Sequence, residues 1–246
     1  KYDVEALPYT DYPHKKFWSQ DIGNEDYRDA LISHYRELTD KSTLLYIHIP
    51  FCEEICNFCI CSKTRTKDYN RVNDYFQTVL FPEIDMFAAL VRDYDLHVDI
   101  KEIFMGGGSP TFMREREFDQ FLEHLSPIVD VTALDSFCIE IDPRRVDTSR
   151  MGFYHERHVN KISIGIQDFD PAVQFEANRM QPPEMVEALL TPEVRKYFPS
   201  INFDLLIGLP REPFLQNPPK WGLEVFHSKH AFLRSMQLLP FLYEKH

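Results

Sequence analysis

The chain has 246 residues, of which 43% are hydrophobic and 14% aromatic, a composition that excludes an intrinsically disordered protein. Its 39 acidic residues outnumber 27 basic residues and give a formal net charge of −12. Nucleic-acid binding and adhesion to an anionic membrane both need clustered Lys and Arg, so this balance disfavours both. The sequence has no apolar run as long as a membrane span and no signal-peptide core at its start, so we expect a cytoplasmic protein.

In chain order, the sequence predicts an N-terminal arm, a helix and then five strands. Residues 1–40 combine aromatic side chains with Pro8 and Pro13 and are interpreted as an extended arm followed by a helix at residues 26–38. Five apolar runs then predict strands. They cover residues 43–49, 102–105, 136–141, 161–166 and 202–207. Apolar residues on both faces of these runs are typical of strands buried in a parallel sheet.

The segments between these runs have the periodicity of helices. Their apolar positions are Val72, Phe76, Val79 and Leu80, then Ile84, Phe87 and Leu90 beyond Pro82, then Phe118, Phe121, Leu122 and Leu125, and finally Met185, Val186, Leu189 and Leu190. Strands that alternate with helices predict an α/β fold with a parallel sheet.

Glycine or polar residues stand at the end of each predicted strand. The cysteine-rich segment follows the first strand. The later groups are Gly106, Gly107, Gly108 and Ser109 after the second strand, Glu140 and Asp142 at the end of the third, Gln167 and Asp168 after the fourth, and Asp204 in the fifth. The carboxyl ends of the strands form the active-site face of a parallel α/β barrel, so we expect these groups to surround one site.

Four of the five cysteines lie within ten residues and indicate a metal centre. Cys52, Cys56 and Cys59 have the spacing C-x3-C-x2-C, and Cys61 follows two residues later. Thiolates bind both zinc and iron–sulfur clusters, and Cys61 could supply the fourth ligand that structural zinc requires. A zinc knuckle does not need a glycine triplet and polar groups at the ends of the following strands. This layout favours a four-iron cluster on the first three cysteines, with one iron open to a chelating ligand.

The segment LYIHIPFCEEICNFCICSK resembles the signature of the radical S-adenosylmethionine (SAM) superfamily, in the HemN-like branch typified by anaerobic coproporphyrinogen III oxidase. GGGSPTF, FCIEIDPR, KISIGIQDF, ANRMQ and NFDLLIGLP follow in the order of that family, so the resemblance covers residues 1–210. It implies a partial (β/α)6-type parallel barrel at residues 41–210, preceded by the arm and helix at 1–40. Residues 211–246 depart from the family pattern, and we expect a divergent or incomplete C-terminal segment there.

The resemblance implies a [4Fe-4S] cluster on Cys52, Cys56 and Cys59, with SAM chelating the fourth iron. It also implies a set of SAM-binding residues, namely Tyr46, Gly106, Gly107, Gly108, Ser109, Glu140, Gln167, Arg179 and Asp204. The glycines would approach the methionyl amine, Glu140 the ribose hydroxyls and Arg179 the carboxylate of SAM. In this family the position of Cys61 is not a cluster ligand, and the residue either lines the substrate side or packs as a small apolar group. A carboxylate within an apolar run, as in NFDLLI, needs a polar partner.

The implied chemistry is cleavage of SAM to a 5′-deoxyadenosyl radical that attacks a small-molecule substrate, with one electron from a donor such as flavodoxin or ferredoxin. Three functions are compatible with the resemblance. They are a C-methyltransferase or cyclopropane-forming enzyme that uses two SAM molecules, an oxygen-independent coproporphyrinogen III oxidase that oxidatively decarboxylates propionates, and a non-catalytic haem chaperone. The chaperone group has an aromatic residue where Cys61 stands. A tetracarboxylate porphyrinogen calls for basic residues, whereas the arm DVEALPYTDYP is acidic, so the sequence favours the first function.

Overall fold

The computed structural model describes residues 21–206 and 208–209. The predictions for the arm before residue 21 and for the C-terminal segment from residue 210 lie outside the described residues. Among those described, no helix combines the length and the apolar character of a membrane span.

Within the described residues, seven strands form two parallel sheets. In chain order they are β1 (Ser42–Ile49), β2 (Phe51–Cys52), β3 (Thr64–Arg65), β4 (Asp99–Gly107), β5 (Ser136–Ile141), β6 (Lys161–Gln167) and β7 (Ser200–Leu205). The larger sheet has the order β1-β4-β5-β6-β7 and every pairing in it is parallel, while β2 pairs with β3 alone. The five strands of the larger sheet are the five predicted apolar runs. Consecutive strands are neighbours, as in a partial (β/α) barrel, which confirms the predicted fold class.

The described residues also form eight α-helices, which connect the strands and flank the sheet. They are α1 (Asn24–Glu37), α2 (Tyr69–Tyr75), α3 (Phe81–Asp93), α4 (Glu115–Leu125), α5 (Thr148–Glu156), α6 (Pro171–Glu176), α7 (Pro183–Leu189) and α8 (Pro192–Tyr197). The core lies between the helices and the sheet. Phe118 and Phe121 of α4 are fully buried there in one cluster with Ile103 and Phe137 of the sheet. Burial of one such aromatic side chain contributes about 1.5–3 kcal/mol.

The prediction for the helix after β3 was wrong at Val79, whose side chain is 47% exposed. A π-helical turn, Phe76–Leu80, joins α2 to α3, and within it the Phe81 N–H donates to the Phe76 carbonyl five residues earlier. Pro82 lies in the first turn of α3 and has no N–H to donate, so the wider turn accommodates it. The wider turn also rotates the side chains relative to a regular helix. Phe76 therefore stays buried while Val79 faces solvent.

Candidate active site

A pocket of about 210 Å³ lies at the carboxyl ends of the strands of the larger sheet. Its lining includes Cys52, Cys56, Cys59, Cys61, Gly107, Gly108, Ser109, Glu140, Gln167, Arg179 and Asp204. The structure thus brings together the predicted cysteines and most of the predicted SAM-binding residues. Gly106 and Tyr46 are the two members of that predicted set outside the lining.

Cys52, Cys56 and Cys59 line the same pocket, and the thiol of Cys52 interacts electrostatically with those of Cys59 and Cys56. The Cys59 N–H donates to the Cys56 carbonyl at 3.1 Å, which closes a turn between these two cysteines. Burial, followed by the neighbouring thiols of Cys59 and Cys56, raises the pKa of Cys52 to about 11. Three thiolates at such a site need a bound cationic group to hold them deprotonated. The donor set therefore fits a metal cluster.

Among the described residues, no three His, Cys, Asp or Glu side chains are arranged to hold a single metal ion. The ligands of one zinc ion converge on one point, about 2.3 Å from each sulfur. The thiolates of a four-iron cube bind different irons and so stand farther apart.

The glycine triplet brings the end of β4 against the cysteine loop. A Cβ on Gly108 would lie 2.6 Å from the carbonyl oxygen of Phe51, the residue before Cys52. Gly107 has a left-handed φ of +111°, and a Cβ on it would lie 2.7 Å from the ring of His48. The Gly108 N–H donates to the Ile49 carbonyl at 2.8 Å. Close backbone packing is thus a second reason for glycine here, in addition to the predicted approach to SAM.

Two asparagines clamp the cysteine loop to the end of α6. The Asn57 side chain donates to the Glu176 carbonyl at 2.6 Å, and its backbone N–H donates to the Ala177 carbonyl at 3.0 Å. In the opposite direction, the Asn178 side chain donates to the Ile55 carbonyl at 2.9 Å. Asn178 has a φ of +53°, a left-handed conformation that Asn tolerates better than most residues. These bonds hold the loop around Cys56 against the end of α6.

Arg179 is 9% exposed and lies between β6 and the cysteine loop. Its guanidinium donates to the Gly165 carbonyl at 2.7 Å and to the Cys56 sulfur at 3.7 Å. It also lies 3.7 Å from a carboxylate oxygen of Asp142. Gly165 makes this approach possible, because a Cβ there would lie 2.9 Å from the guanidinium. A buried cation therefore stands at the pocket wall, at the residue that the resemblance places near the carboxylate of SAM.

Asp142 is held by two arginines. Arg144 donates to both of its carboxylate oxygens, at 2.9 and 2.7 Å, and the Arg179 guanidinium lies 3.7 Å from one of them. Burial raises the pKa of Asp142, but the hydrogen bonds from Arg144 and the charges of Arg179 and Arg144 outweigh it and hold the pKa below its ordinary value. The carboxylate of Asp142 is therefore ionised and orients Arg179.

Glu140 and Asp204 lie near the ends of β5 and β7, and both line the pocket. Glu140 accepts a hydrogen bond from the Gly107 N–H at 3.1 Å. Asp204 accepts from the Ser163 hydroxyl at 2.6 Å and from the Asn202 amide at 2.7 Å. These two groups are the polar partners that a carboxylate within an apolar strand requires.

Tyr46 and His48 lie on β1 beside the pocket rather than in its lining. The His48 Nε2 is 2.7 Å from the Ser62 carbonyl, so this nitrogen carries the proton and donates. The His48 Nδ1 then accepts from the Tyr46 hydroxyl at 3.1 Å. The ring of Tyr46 stacks on Phe104, and its side chain is half exposed. The pair therefore connects β1 to the segment directly after Cys61.

Gln167 ends β6 in a strained conformation. Its φ of +70° lies in the left-handed region, where a non-glycine residue costs on the order of 1–3 kcal/mol. The register between β6 and β7 shifts between Gly165 and Gln167. This irregularity places the Gln167 side chain in the pocket lining.

Several residues that shape the pocket were not predicted from the sequence. They are Asn57, Lys63, Ser163, Gly165, Asn178, Gln181 and Asn202. Lys63 donates to the carbonyls of Cys59 and Cys61, at 2.6 and 3.2 Å, and so ties down the end of the loop. Gly165 is the one member with a detectable signal, because a glycine inside a buried strand indicates close approach of another group.

Replacing Glu140 with Gln is expected to stabilise the protein, without SAM, increasingly as the pH rises. Burial raises the pKa of Glu140, although the Gly107 N–H opposes this, so the folded state binds its proton more tightly than the unfolded state does. In wild type the contribution of the Glu140 carboxyl to the free energy of unfolding is therefore complete below the ordinary pKa of 4.5. This contribution is lost as the pH rises through the raised pKa of the folded state. Gln does not titrate and still accepts from Gly107.

Denaturant unfolding of wild type and Glu140→Gln, from about pH 4 to about pH 7, measures this difference. Glu102→Gln, a change at an exposed position on β4, is the matched control. The same pH dependence in both variants would contradict the assignment.

Comparison with known proteins identifies the class of this site. Residues 46–216 match the radical SAM superfamily, and the chain belongs to that family. Its members bind a [4Fe-4S] cluster and SAM, the two groups for which the pocket supplies thiols and polar contacts.

The similar proteins narrow the class to HemN-like radical SAM proteins. Over 214 residues the chain is 36% identical to the oxygen-independent coproporphyrinogen III oxidase of Pseudomonas aeruginosa, covering 86% of this chain and 45% of that protein. Over 212 residues it is 31% identical to the enzyme of the same name from Escherichia coli, covering 86% and 44%. The structure of coproporphyrinogen III oxidase (HemN) from Escherichia coli superposes with a TM-score of 0.77 at 29% identity, covering 96% of this chain and 49% of that chain.

The chain spans about half the length of the relatives it matches. The comparisons confirm the predicted family and fold. They support the oxidase alternative better than the methyltransferase or cyclopropane-forming function that the sequence favoured, and the use of two SAM molecules is not confirmed. The acidic arm on which that preference rested lies outside the described residues.

Proposed function

We propose that the protein is an oxygen-independent coproporphyrinogen III oxidase, which oxidatively decarboxylates propionate groups of a porphyrinogen. The observation that carries this proposal is the 36% identity to a named oxidase across a region that includes every strand and the whole pocket. A small-molecule substrate fits an enzyme of this family.

In this proposal Cys52, Cys56 and Cys59 hold the cluster, and the pocket walls hold SAM. Arg179 is buried and is oriented by Asp142, so it offers a fixed cation to the carboxylate of SAM. Glu140 and Asp204, which also line the pocket, offer carboxylate oxygens to the ribose hydroxyls. When bound, the cluster and SAM supply a 5′-deoxyadenosyl radical that removes a hydrogen atom from the substrate. The residues themselves bind and orient the cluster and SAM, and they exclude water from the pocket.

The test is product analysis under anaerobic conditions. Reconstituted protein receives dithionite, SAM and coproporphyrinogen III, and we expect 5′-deoxyadenosine, carbon dioxide and protoporphyrinogen. S-Adenosylhomocysteine formed in place of carbon dioxide would support the methyltransferase alternative and overturn the oxidase. Haem binding without SAM turnover would support the chaperone. A Cys56→Ala variant, assayed in parallel, controls for reactions of dithionite alone.

A further inference from the structure

Three exposed cations follow the cysteine loop along one short stretch of chain. We call Arg65, Lys67 and Arg71 the basic ribbon, and all three are exposed. The single acidic residue among positions 63–71 is Asp68, whose carboxylate accepts from the Asn70 N–H at the start of α2. Among the described residues, none of the three cations has an ion-pair partner. The ribbon is therefore a local positive surface on a chain whose formal net charge is −12.

The basic ribbon lies directly beside a predicted cluster ligand. Arg65 is opposite Cys52 in the β2–β3 pairing, and the Thr66 N–H donates to the Cys52 carbonyl at 2.9 Å. The Arg65 Nε donates to the Glu53 carbonyl at 3.2 Å. Only one strand pairing thus separates Arg65 from Cys52, and Lys67 and Arg71 follow within six residues of the chain. A redox protein that docks on the ribbon would bring its own centre close to the cluster.

The arginines around the pocket differ from the cations of the basic ribbon because carboxylates neutralise their charges. Arg144 pairs with Asp142 and with Glu54, and Arg145 pairs with Glu53 at 2.5 Å. These pairs stabilise the cysteine loop and the pocket wall. The cations of the ribbon form no ion pair with any residue that the structure describes, which leaves their charge available to a partner.

We infer that the basic ribbon is the docking surface for an acidic one-electron donor protein. The inference rests on the proposed function, since a SAM-cleaving cluster needs one electron from outside the chain. A donor with a negative surface is repelled by this protein's overall charge, so productive encounter needs a local surface of opposite sign. Complementary charges of this kind raise association rates and make them fall with salt. A small-molecule reductant would need no such surface.

The test is the rate at which reduced flavodoxin, as an acidic donor, reduces the reconstituted cluster. The rate is followed by cluster absorbance in the absence of SAM at low and high salt. In the double variant Lys67→Glu/Arg71→Glu, we expect the second-order rate constant at low salt to fall about tenfold or more and its salt dependence to flatten. The milder Lys67→Ala/Arg71→Ala should show a smaller loss in the same direction. Iron content confirms that each variant carries its cluster.

The matched control is Arg36→Glu/Lys196→Glu, which makes the same change in net charge at exposed positions on α1 and α8. Donor reduction should persist in this control, and dithionite with SAM should yield 5′-deoxyadenosine in all variants. Equal loss of flavodoxin reduction in the ribbon and control variants would overturn the docking surface. Absence of 5′-deoxyadenosine from wild type with dithionite would instead contradict the proposed function, while the reduction rates would still decide the ribbon.

Discussion

Replacing any one of Cys52, Cys56 and Cys59 with Ala is expected to abolish both cluster assembly and formation of 5′-deoxyadenosine. Wild type reconstituted without oxygen should contain about four irons per chain, as a thiolate-held cube requires. The three thiols line one pocket, and no other described cysteine except Cys61 lines it. A variant that lacks one of these cysteines has two thiolate ligands, which are too few to retain the four-iron cluster. Iron analysis and the broad cluster absorbance measure the outcome.

Two further cysteines serve as matched controls for this series. Cys138 is 2% exposed on β5 and lies outside the pocket lining, so Cys138→Ala tests the cost of the same chemical change away from the site. Cys61 lines the pocket, yet its side chain is exposed. Both variants should retain about four irons. Loss of iron in Cys61→Ala would show that the assigned set of cluster ligands is wrong. Zinc bound to the wild-type protein in place of iron would contradict its function as a SAM-cleaving enzyme.

Gly108→Ala is expected to have the second largest effect, because the new methyl group has no space. Its Cβ would lie 2.6 Å from the Phe51 carbonyl and 2.9 Å from the Ile49 carbonyl. Both contacts are to backbone, which cannot rotate away as a side chain does. Overpacking of this kind costs about 1–3 kcal/mol. It also pushes the segment that carries Cys52 away from β4, so iron retention should fall together with the midpoint of thermal unfolding.

Gly152→Ala is the matched control for this substitution. Gly152 lies inside α5, and among the residues that the structure describes a Cβ there would meet only the Tyr197 ring, at an ordinary 3.8 Å. Alanine within a helix is favoured over glycine by about 0.5–1 kcal/mol, so this variant should be as stable as wild type or more stable. Thermal unfolding and iron content of both variants give the comparison. An iron content in Gly108→Ala equal to that of Gly152→Ala would contradict the packing argument.

The local pattern of apolar residues in the sequence was sufficient to predict the strands of the larger sheet. Strands buried on both faces appear in sequence as apolar runs, and all five runs became parallel neighbours in chain order. The end of a strand is also a position in the sequence. Glu140, Gln167 and Asp204 could therefore be assigned to one face of the barrel from the sequence, and the structure places them in one pocket. The cysteine spacing indicated a metal centre in the same way.

The contacts between residues far apart in the chain could not be predicted and depend on the folded structure. The bonds from Asn57 to Glu176 and from Arg179 to Cys56 join positions more than a hundred residues apart, and loop residues show no periodicity that would reveal such partners. The π-helical turn before Pro82 likewise moved Val79 to the surface, because it changed the helical period from which burial is predicted. Periodicity and spacing report backbone type and strand ends, whereas hydrogen-bond partners depend on where the folded chain brings separate segments together.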